Sequence, residues 1–159
     1  AGYIDLFLQG DGGKCALLDM KLGYMSTFAG LLRENKAVQL MLYAHLKRVR
    51  GVLPPVGYVI LDEGQVISGD RGAFPNAVDV GAEGASLEDL WRAFELTWKW
   101  RRGQLDAGRV EVTVAGTDDE DADPPPPGAL EPEGEPRFAE EYARLTGAAA
   151  RSGGRGGRR

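Results

Sequence analysis

Residues 2–21 constrain the fold more than any other segment, because they read as two short strands joined by a tight turn. Apolar and polar side chains alternate along residues 2–9, as they do in a strand, and residues 10–13 (GDGG) are typical of a turn. A second apolar run covers residues 14–21. Two such runs on either side of a Gly-rich turn predict a β-hairpin.

Three charged side chains interrupt these apolar strands. Asp19 and Lys21 lie two residues apart, so they share one face of the second strand. If the turn closes the hairpin simply, Asp5 of the first strand lies opposite Leu18 or Asp19. Removing two carboxylates and an ammonium from water is costly unless these groups bind something. The cluster of Asp5, Asp19 and Lys21 is therefore the first candidate for a functional site.

The remaining sequence predicts an α/β chain. An apolar stripe favours one helix over residues 28–50, which Gly51 and the prolines after it would end. A second helix over residues 87–106 would begin at a capping pair of Ser86 and Asp89. Two strands are expected over residues 56–61 and 65–68, a loop over 69–85 and a last short strand over 110–114.

Charge is distributed unevenly along the 159 residues, which together carry a net charge of −5. Residues 117–135 hold eight acidic side chains and no basic one, and they are rich in proline. Residues 136–159 hold six arginines and two glutamates. These patterns predict a globular domain over residues 1–116 and an acidic Pro-rich linker over 117–135. A short helix over 136–147 and a flexible Arg/Gly-rich tail over 148–159 are expected to follow.

The composition excludes several kinds of site. Cys15 and His45 are the only residues of their types, which excludes a disulfide framework, a Cys-rich zinc site and a four-cysteine iron–sulfur cluster. No apolar run approaches the roughly 18 residues that a membrane span requires. A signal peptide is not indicated either, because Asp5 interrupts the first apolar stretch. We therefore expect no membrane association and a cytoplasmic location.

Asp5 and Asp19 suit a divalent cation. Two carboxylates that lie close together repel each other, which raises a pKa or recruits a cation. Carboxylate oxygens are ligands for Mg²⁺ or Mn²⁺, and Mg²⁺ commonly completes its coordination with water and substrate phosphate. Lys21 and the cation together could stabilise the negative charge that builds up on a phosphoryl group during hydrolysis. This arrangement favours phosphodiester hydrolysis over glycoside hydrolysis, which uses paired acids but no lysine fixed beside one of them.

Three segments resemble the RecB-type branch of the PD-(D/E)XK nuclease superfamily. Residues 2–5 (GYID), 17–23 (LLDMKLG) and 39–44 (QLMLYA) match that branch's patterns G-x-h-D, h-h-D-x-K-x-G and Q-x-x-x-Y, in which h is an apolar residue. Their order and approximate spacing match as well. The resemblance implies a restriction-endonuclease-like α/β core, in which helices flank a central mixed sheet.

The same resemblance implies roles for individual residues. Asp5, Asp19 and the main-chain carbonyl of Met20 would be metal ligands, and Lys21 would stabilise charge or orient water. Gln39 and Tyr43, four residues apart on one helical face, would flank the site. The implied function is metal-dependent cleavage of DNA, by an exonuclease rather than an endonuclease, in recombination or repair, with a helicase domain or subunit as a possible partner.

Two departures from the family pattern bear on activity. The first helix of the family, which contributes an acid or a histidine to the site, would have to precede residue 1, so this chain by itself could be inactive. The cysteines that hold an iron–sulfur cluster in some relatives are absent, so a cluster-free member is implied. The main alternative is a catalytically inactive nuclease-fold module that binds DNA or a partner protein. A weaker alternative is an RNA-binding accessory that acts through the Arg/Gly tail.

The tryptophans and two clusters of basic residues each allow a structural and a functional interpretation. Trp91 and Trp98 are expected in the core and Trp100 at the surface, although each could stack on bases. The basic residues within 47–50 and 101–102 could contact phosphates or could be ordinary partners of helix C-terminal dipoles.

Overall fold

The computed structural model describes residues 4–81, 86–109 and 123–130. We number its strands and helices in chain order. They are β1 (Leu6–Gln9), β2 (Cys15–Lys21), α1 (Met25–Arg33), α2 (Val38–Leu46), β3 (Val56–Ile60), β4 (Gln65–Ser68), β5 (Val78–Asp79) and α3 (Leu87–Asp106).

The strands form one mixed sheet with the order β1-β2-β3-β4-β5. β1 and β2 are antiparallel, as are β3 and β4, whereas β2 runs parallel to β3 and β4 runs parallel to β5. α1 and α2 provide the long crossover that a parallel pair such as β2 and β3 requires. The predicted α/β class, with a mixed sheet flanked by helices, is confirmed. The more specific restriction-endonuclease-like arrangement stays a prediction.

The predicted hairpin is present as β1 and β2. Leu6 lies opposite Leu18, within the range of registers expected from the turn. Gly12 and Gly13 adopt φ values of 71° and 77°, a left-handed conformation in which glycine carries no steric penalty. Among the described residues the first strand begins at Leu6, later than the alternation predicted, so Asp5 lies just before the strand rather than within it.

Alternate residues of β2 and β3 point into an apolar layer between the sheet and the helices. The register places Leu17 beside Val56 and Asp19 beside Tyr58, and all four side chains are buried. The apolar members of this layer also come from the helices and from β3 and β4: Ala29, Leu32, Leu40, Ala44, Ile60 and Ile67. Asp19 is therefore a charged residue in the core layer, where burial requires a compensating partner.

The single helix predicted over residues 28–50 is wrong, because the chain forms α1 and α2 with a break between them. Asn35 in the break adopts a φ of 53°, a left-handed conformation that asparagine tolerates better than most residues. Its side-chain amide donates a hydrogen bond to the carbonyl of Ser86 at 3.2 Å. The break is thus fixed by a contact with a residue far along the chain, which the apolar stripe does not reveal.

α3 begins and ends where the sequence predicts, but it buries a different face. The Ser86 hydroxyl accepts a hydrogen bond from the Asp89 N–H at 3.1 Å, which confirms the cap. Trp98, expected in the core, is 60% exposed, and Trp100, expected at the surface, is partly buried. Trp91 stacks on His45 of α2 with 3.4 Å between ring centroids. The contact with α2 therefore accounts for the position of Trp91, whereas the expected core position of Trp98 is wrong.

Part of the predicted acidic linker lies against α3. The Leu130 N–H donates a hydrogen bond to Thr97 Oγ1 at 2.8 Å, and Arg109 pairs with Asp123 at 3.3 Å. The predicted strand over 110–114, the rest of the linker, the helix over 136–147 and the tail over 148–159 lie outside the described residues. Within the described ranges, no helix combines the length and the apolar character needed to cross a bilayer.

Candidate functional site

An ion pair at the carboxyl end of β2 forms the centre of the candidate site. The Lys21 ammonium lies 2.6 Å from Asp19 Oδ2, the side chain of Asp19 is 2% exposed and that of Lys21 is 24% exposed. Asp19 Oδ2 has no aligned hydrogen bond, although it is buried. Among the described residues, the Lys21 ammonium is therefore the cation that balances this carboxylate, and it is the member of the pair that solvent reaches.

Two residues of α2 extend this pair into a chain of polar side chains. Lys21 Nζ donates to Gln39 Oε1 at 3.3 Å, and Gln39 Nε2 donates to the Tyr43 hydroxyl at 2.9 Å. Gln39 and Tyr43 meet because residues four apart lie on one face of a helix. The structure thus brings Asp19, Lys21, Gln39 and Tyr43 together, in the order in which the sequence analysis grouped them.

Asp5 reaches the same end of β2 through the main chain. Its Oδ2 accepts a hydrogen bond from the Met20 N–H at 2.9 Å. Met20 lies between Asp19 and Lys21, so the carboxylate of Asp5 is tied to the strand segment that carries the ion pair. The predicted metal contact of Met20 involves its carbonyl, whereas the contact observed here involves its amide.

Two aromatic rings enclose the ammonium, and the sequence analysis missed both. The Lys21 nitrogen lies 5.3 Å from the centroid of the Phe28 ring and 5.8 Å from that of Tyr58, within the range of cation–π attraction. Burial, together with the nearby charge of Asp19, raises the pKa of Tyr58 to about 12. Tyr58 therefore stays neutral at physiological pH. Only the parallel pairing of β2 with β3 places it here, and no local pattern predicts that pairing.

No protein-family model, curated protein or solved structure matches this chain. The chemistry of the candidate site therefore rests on its own side chains.

The donor atoms at this end of β2 fit a hard divalent cation. Asp5 and Asp19 supply carboxylate oxygens, the ligand type that Mg²⁺ and Mn²⁺ prefer. Asp19 Oδ2 already lies 2.6 Å from the Lys21 ammonium, so a cation bound there would share this carboxylate with the ammonium. Among the described residues, no group of three or more acidic, histidine or cysteine side chains gathers at one point. The set accordingly suits a cation that takes its remaining ligands from water and from a substrate phosphate.

A separate polar cluster ties β3 to β4. Ser68 is buried, and its hydroxyl donates to the carbonyl of Val56 at 2.7 Å. Asp70 Oδ2 accepts a hydrogen bond from the Val56 N–H at 3.0 Å. Burial raises the pKa of Asp70 above its ordinary value, the Val56 N–H opposes this shift, and the charge of Glu88 adds to it.

A cavity of about 500 Å³ lies beside Asp70, and its wall contains none of the six predicted site residues. The hydrogen bonds of Ser68 and Asp70 to the main chain of Val56 account for both side chains as structural groups. We therefore keep the end of β2 as the candidate functional site.

Proposed function

We propose that this chain carries the active site of a divalent-metal-dependent deoxyribonuclease of the RecB exonuclease type. The observation that supports the proposal is the buried carboxylate of Asp19, with the Lys21 ammonium at 2.6 Å and Gln39 bonded to that ammonium. A buried acid that is balanced from its solvent side suits a centre where charge changes during a reaction. The resemblance of the three sequence segments to the RecB-type nucleases points to the same chemistry.

In this proposal Asp5, Asp19 and the carbonyl of Met20 hold Mg²⁺ or Mn²⁺. When bound, the cation supplies Lewis-acid activation at a phosphodiester. Lys21 supplies positive charge beside the scissile phosphate, where negative charge grows as the transition state forms. Phe28 and Tyr58 exclude water from one side of the ammonium, which strengthens its interaction with that charge.

Gln39 and Tyr43 act on the position of Lys21 in this proposal. The carbonyl of Gln39 accepts from the ammonium, and the hydroxyl of Tyr43 accepts from the amide of Gln39. Each acceptor removes rotational freedom from the group that donates to it. The two side chains therefore hold the ammonium in one place before substrate binds, which is the condition for electrostatic stabilisation of a transition state.

One observation favours a second candidate, a nuclease-fold module that binds DNA or a protein without cleaving DNA. The described residues offer two carboxylates and no third side-chain ligand at the site. An ion pair between Asp19 and Lys21 is also a complete structural unit, since each member neutralises the other. In that case the site would bind no metal in the micromolar to millimolar range, and cleavage would be absent.

Calorimetric titration with Mn²⁺ and with Mg²⁺ separates the two candidates. The wild type should release or absorb heat at one site, and the double variant Asp5→Asn, Asp19→Asn should not. A matched control is the double variant Asp11→Asn, Glu63→Gln, which changes the charge equally at two exposed acids outside the site. It should bind the metal like the wild type. Equal binding by the wild type and the Asp5→Asn, Asp19→Asn variant would refute the metal site.

Cleavage is then measured on labelled linear DNA with the same metals and the same variants, made in the protein that includes any segment preceding residue 1. We expect shortening of the DNA by the wild type and by the control variant, and none by the site variant. Metal binding without any cleavage would favour the binding module over the nuclease.

A further inference from the structure

The basic side chains of the described residues fall into two groups. Six of them pair with a carboxylate: Lys21, Lys36, Arg71, Arg92, Arg102 and Arg109. Arg101 lies 4.2 Å from the Trp100 ring and donates to Gln104. Six others, all exposed, form no ion pair with any acid that the structure describes: Arg33, Lys99 and a group of four, Lys14, Lys47, Arg48 and Arg50. Exposed cations without acids beside them are available to an anionic partner.

These four cations belong to one surface, which we call the basic end and define as Lys14, Lys47, Arg48 and Arg50. A shallow groove has residues 12–15 on one side and Val49 and residues 52–55 on the other, so the β1–β2 turn adjoins the loop after α2. A bridge between Val49 and Val52 closes that loop into a tight turn. Asp11 is the one acid within the described β1–β2 turn, so the four cations outnumber the negative charge there.

α2 connects the basic end to the candidate active site. Gln39, Tyr43 and Lys47 follow one another at intervals of four residues, so they lie along one face of the helix and its C-cap. The Lys47 ammonium lies 5.2 Å from the ring of Phe7 on β1, which fixes it above the hairpin that also carries the site. Gln39, which contacts Lys21, precedes Lys47 by eight residues, and eight residues of helix advance by about 12 Å, the length of a few nucleotides along one DNA strand.

The structure therefore points to a role for the basic end in the proposed nuclease. We propose that it binds the phosphate backbone of a DNA strand whose next phosphates, a few nucleotides away, occupy the site of Asp19 and Lys21. This inference rests on the proposed function and adds the path of the substrate to it. Attraction of Lys47 to the C-terminal dipole of α2 is an ordinary structural role, but it does not account for Lys14 or Arg50, which lie outside the helix.

The basic end differs in this respect from the second basic pair that the sequence analysis raised. Arg101 and Arg102 already interact within α3, the first with Trp100 and Gln104 and the second with Asp106. Binding a phosphate there would first break these contacts. The sequence left both roles open for each group. The contacts favour a structural role for Arg101 and Arg102 and phosphate contact for the basic end.

The test measures DNA binding without cleavage. A fluorescein-labelled oligothymidylate is titrated with the full chain in EDTA at several salt concentrations, for the wild type and for the triple variant Lys47→Gln, Arg48→Gln, Arg50→Asn. Asparagine is chosen at position 50 because Arg50 has a φ of 49°, which asparagine tolerates. The control is Arg71→Gln, Arg92→Gln, Arg102→Gln, which removes the same charge from paired arginines elsewhere.

We expect the triple variant to lose about two units of slope in a plot of log affinity against log salt, since each phosphate contact on single strands contributes roughly 0.7. The control should keep the wild-type slope to within about 0.5. Equal loss by both variants, or by neither, overturns the inference, and so does wild-type chain that binds anionic phosphatidylserine vesicles but not the oligonucleotide. Circular dichroism and thermal melting establish that each variant is folded.

The outcome is independent of cleavage, so the two proposals can fail separately. Binding that depends on the basic end, in a protein that never cleaves DNA, would retain the surface and remove the nuclease. Cleavage that proceeds with an unchanged salt slope in the triple variant would retain the nuclease and remove the surface.

Discussion

Asp19 and Lys21 form a 2.6 Å ion pair in which the acid is buried and the base reaches solvent. The two partners are therefore not equivalent. Lys21 presents its ammonium where an incoming phosphate can reach it, whereas Asp19 lies within the apolar layer. Loss of either partner has a structural consequence as well as a chemical one, because it leaves the other charge without its counterion.

Lys21→Met should lower both cleavage and stability. Loss of a group that meets transition-state charge slows cleavage on the order of 10²–10³-fold. The position of Lys21 near a strand end predicts a small loss of stability, but the burial of Asp19 changes that expectation to about 2 kcal/mol, because a buried carboxylate loses its partner. Cleavage per folded molecule and chemical denaturation measure the two effects.

Arg102→Met is the control for stability, since its pair with Asp106 is exposed on both sides and contributes less than about 1 kcal/mol. An unchanged cleavage rate in Lys21→Met would remove the catalytic assignment. An unchanged free energy of unfolding would contradict the role of the Lys21 ammonium as the counterion of the buried Asp19 carboxylate.

Gln39 and Tyr43 should behave as one unit in a double-mutant cycle. If Tyr43 acts on Lys21 through Gln39, the double variant Gln39→Ala, Tyr43→Phe should cleave no more slowly than Gln39→Ala alone. The coupling energy should fall between about 0.5 and 1.5 kcal/mol, as for a single hydrogen bond. Gln39→Ala combined with Arg102→Met should be additive, and additivity in the first cycle would contradict the chain of contacts.

Local signals predicted the hairpin and the limits of α3 because each depends on residues close in sequence. Gly12 and Gly13 supply the turn, and Ser86 supplies the cap of α3. The break at Asn35 could not be predicted this way, since the amide that fixes it reaches Ser86, 51 residues away. The exposure of Trp98 likewise follows from the packing of α2 on α3, and not from the spacing of apolar residues.

The contacts of the candidate site also differ in whether residues close in sequence predict them. Asp19 and Lys21 were predictable as neighbours because side chains alternate along one strand. Their contact with Gln39 was expected from resemblance alone, and the aromatic enclosure by Phe28 and Tyr58 was not expected at all. Those two rings come from an element beyond β2 and from its parallel neighbour, so their approach is a property of the folded topology.

Asp70 should make stability decrease as the pH rises through the acidic range. Burial raises its pKa in the folded chain above the value near 3.8 expected when unfolded, so the folded state binds its proton more tightly. The resulting stabilisation is present below the unfolded pKa and is lost as the pH rises through the folded pKa. Asp70→Asn, which cannot ionise, should therefore gain thermal stability relative to the wild type between about pH 3.5 and pH 7.

The variant Asp79→Asn should change stability in the opposite direction as the pH rises. The hydrogen bond from Arg71 lowers the pKa of Asp79, so its contribution is present above the unfolded pKa and is lost as the pH falls. That variant should lose stability relative to the wild type over the same rise in pH. Parallel pH profiles for the two variants would contradict the assignment of Asp70 as an acid that burial disfavours in its ionised form.

Gly57→Ala should destabilise the sheet, and Gly30→Ala should not. A Cβ on Gly57 would lie 2.7 Å from the carbonyl oxygen of Ile67 on the adjacent strand, where main chain must shift. We expect a loss of about 1–3 kcal/mol in the free energy of unfolding. A Cβ on Gly30 meets nothing within 4 Å, and alanine is favoured in a helix interior by about 1 kcal/mol. Urea denaturation of both variants tests the pair, and equal midpoints would refute it.

Because α1 and α2 are separate helices, a change in the rotation of α1 about its axis does not rotate the residues of α2. In one continuous helix, a residue inserted near its start would turn everything after it by about 100° and carry Gln39 and Tyr43 away from Lys21. Residues 34–37 lie between the two helices, so an insertion there lengthens a loop. The face that α2 turns toward the sheet is then still determined by the packing of α2 itself. Length changes can thus accumulate at the break over evolution, whereas the nine residues of α2 admit none between Gln39 and Tyr43.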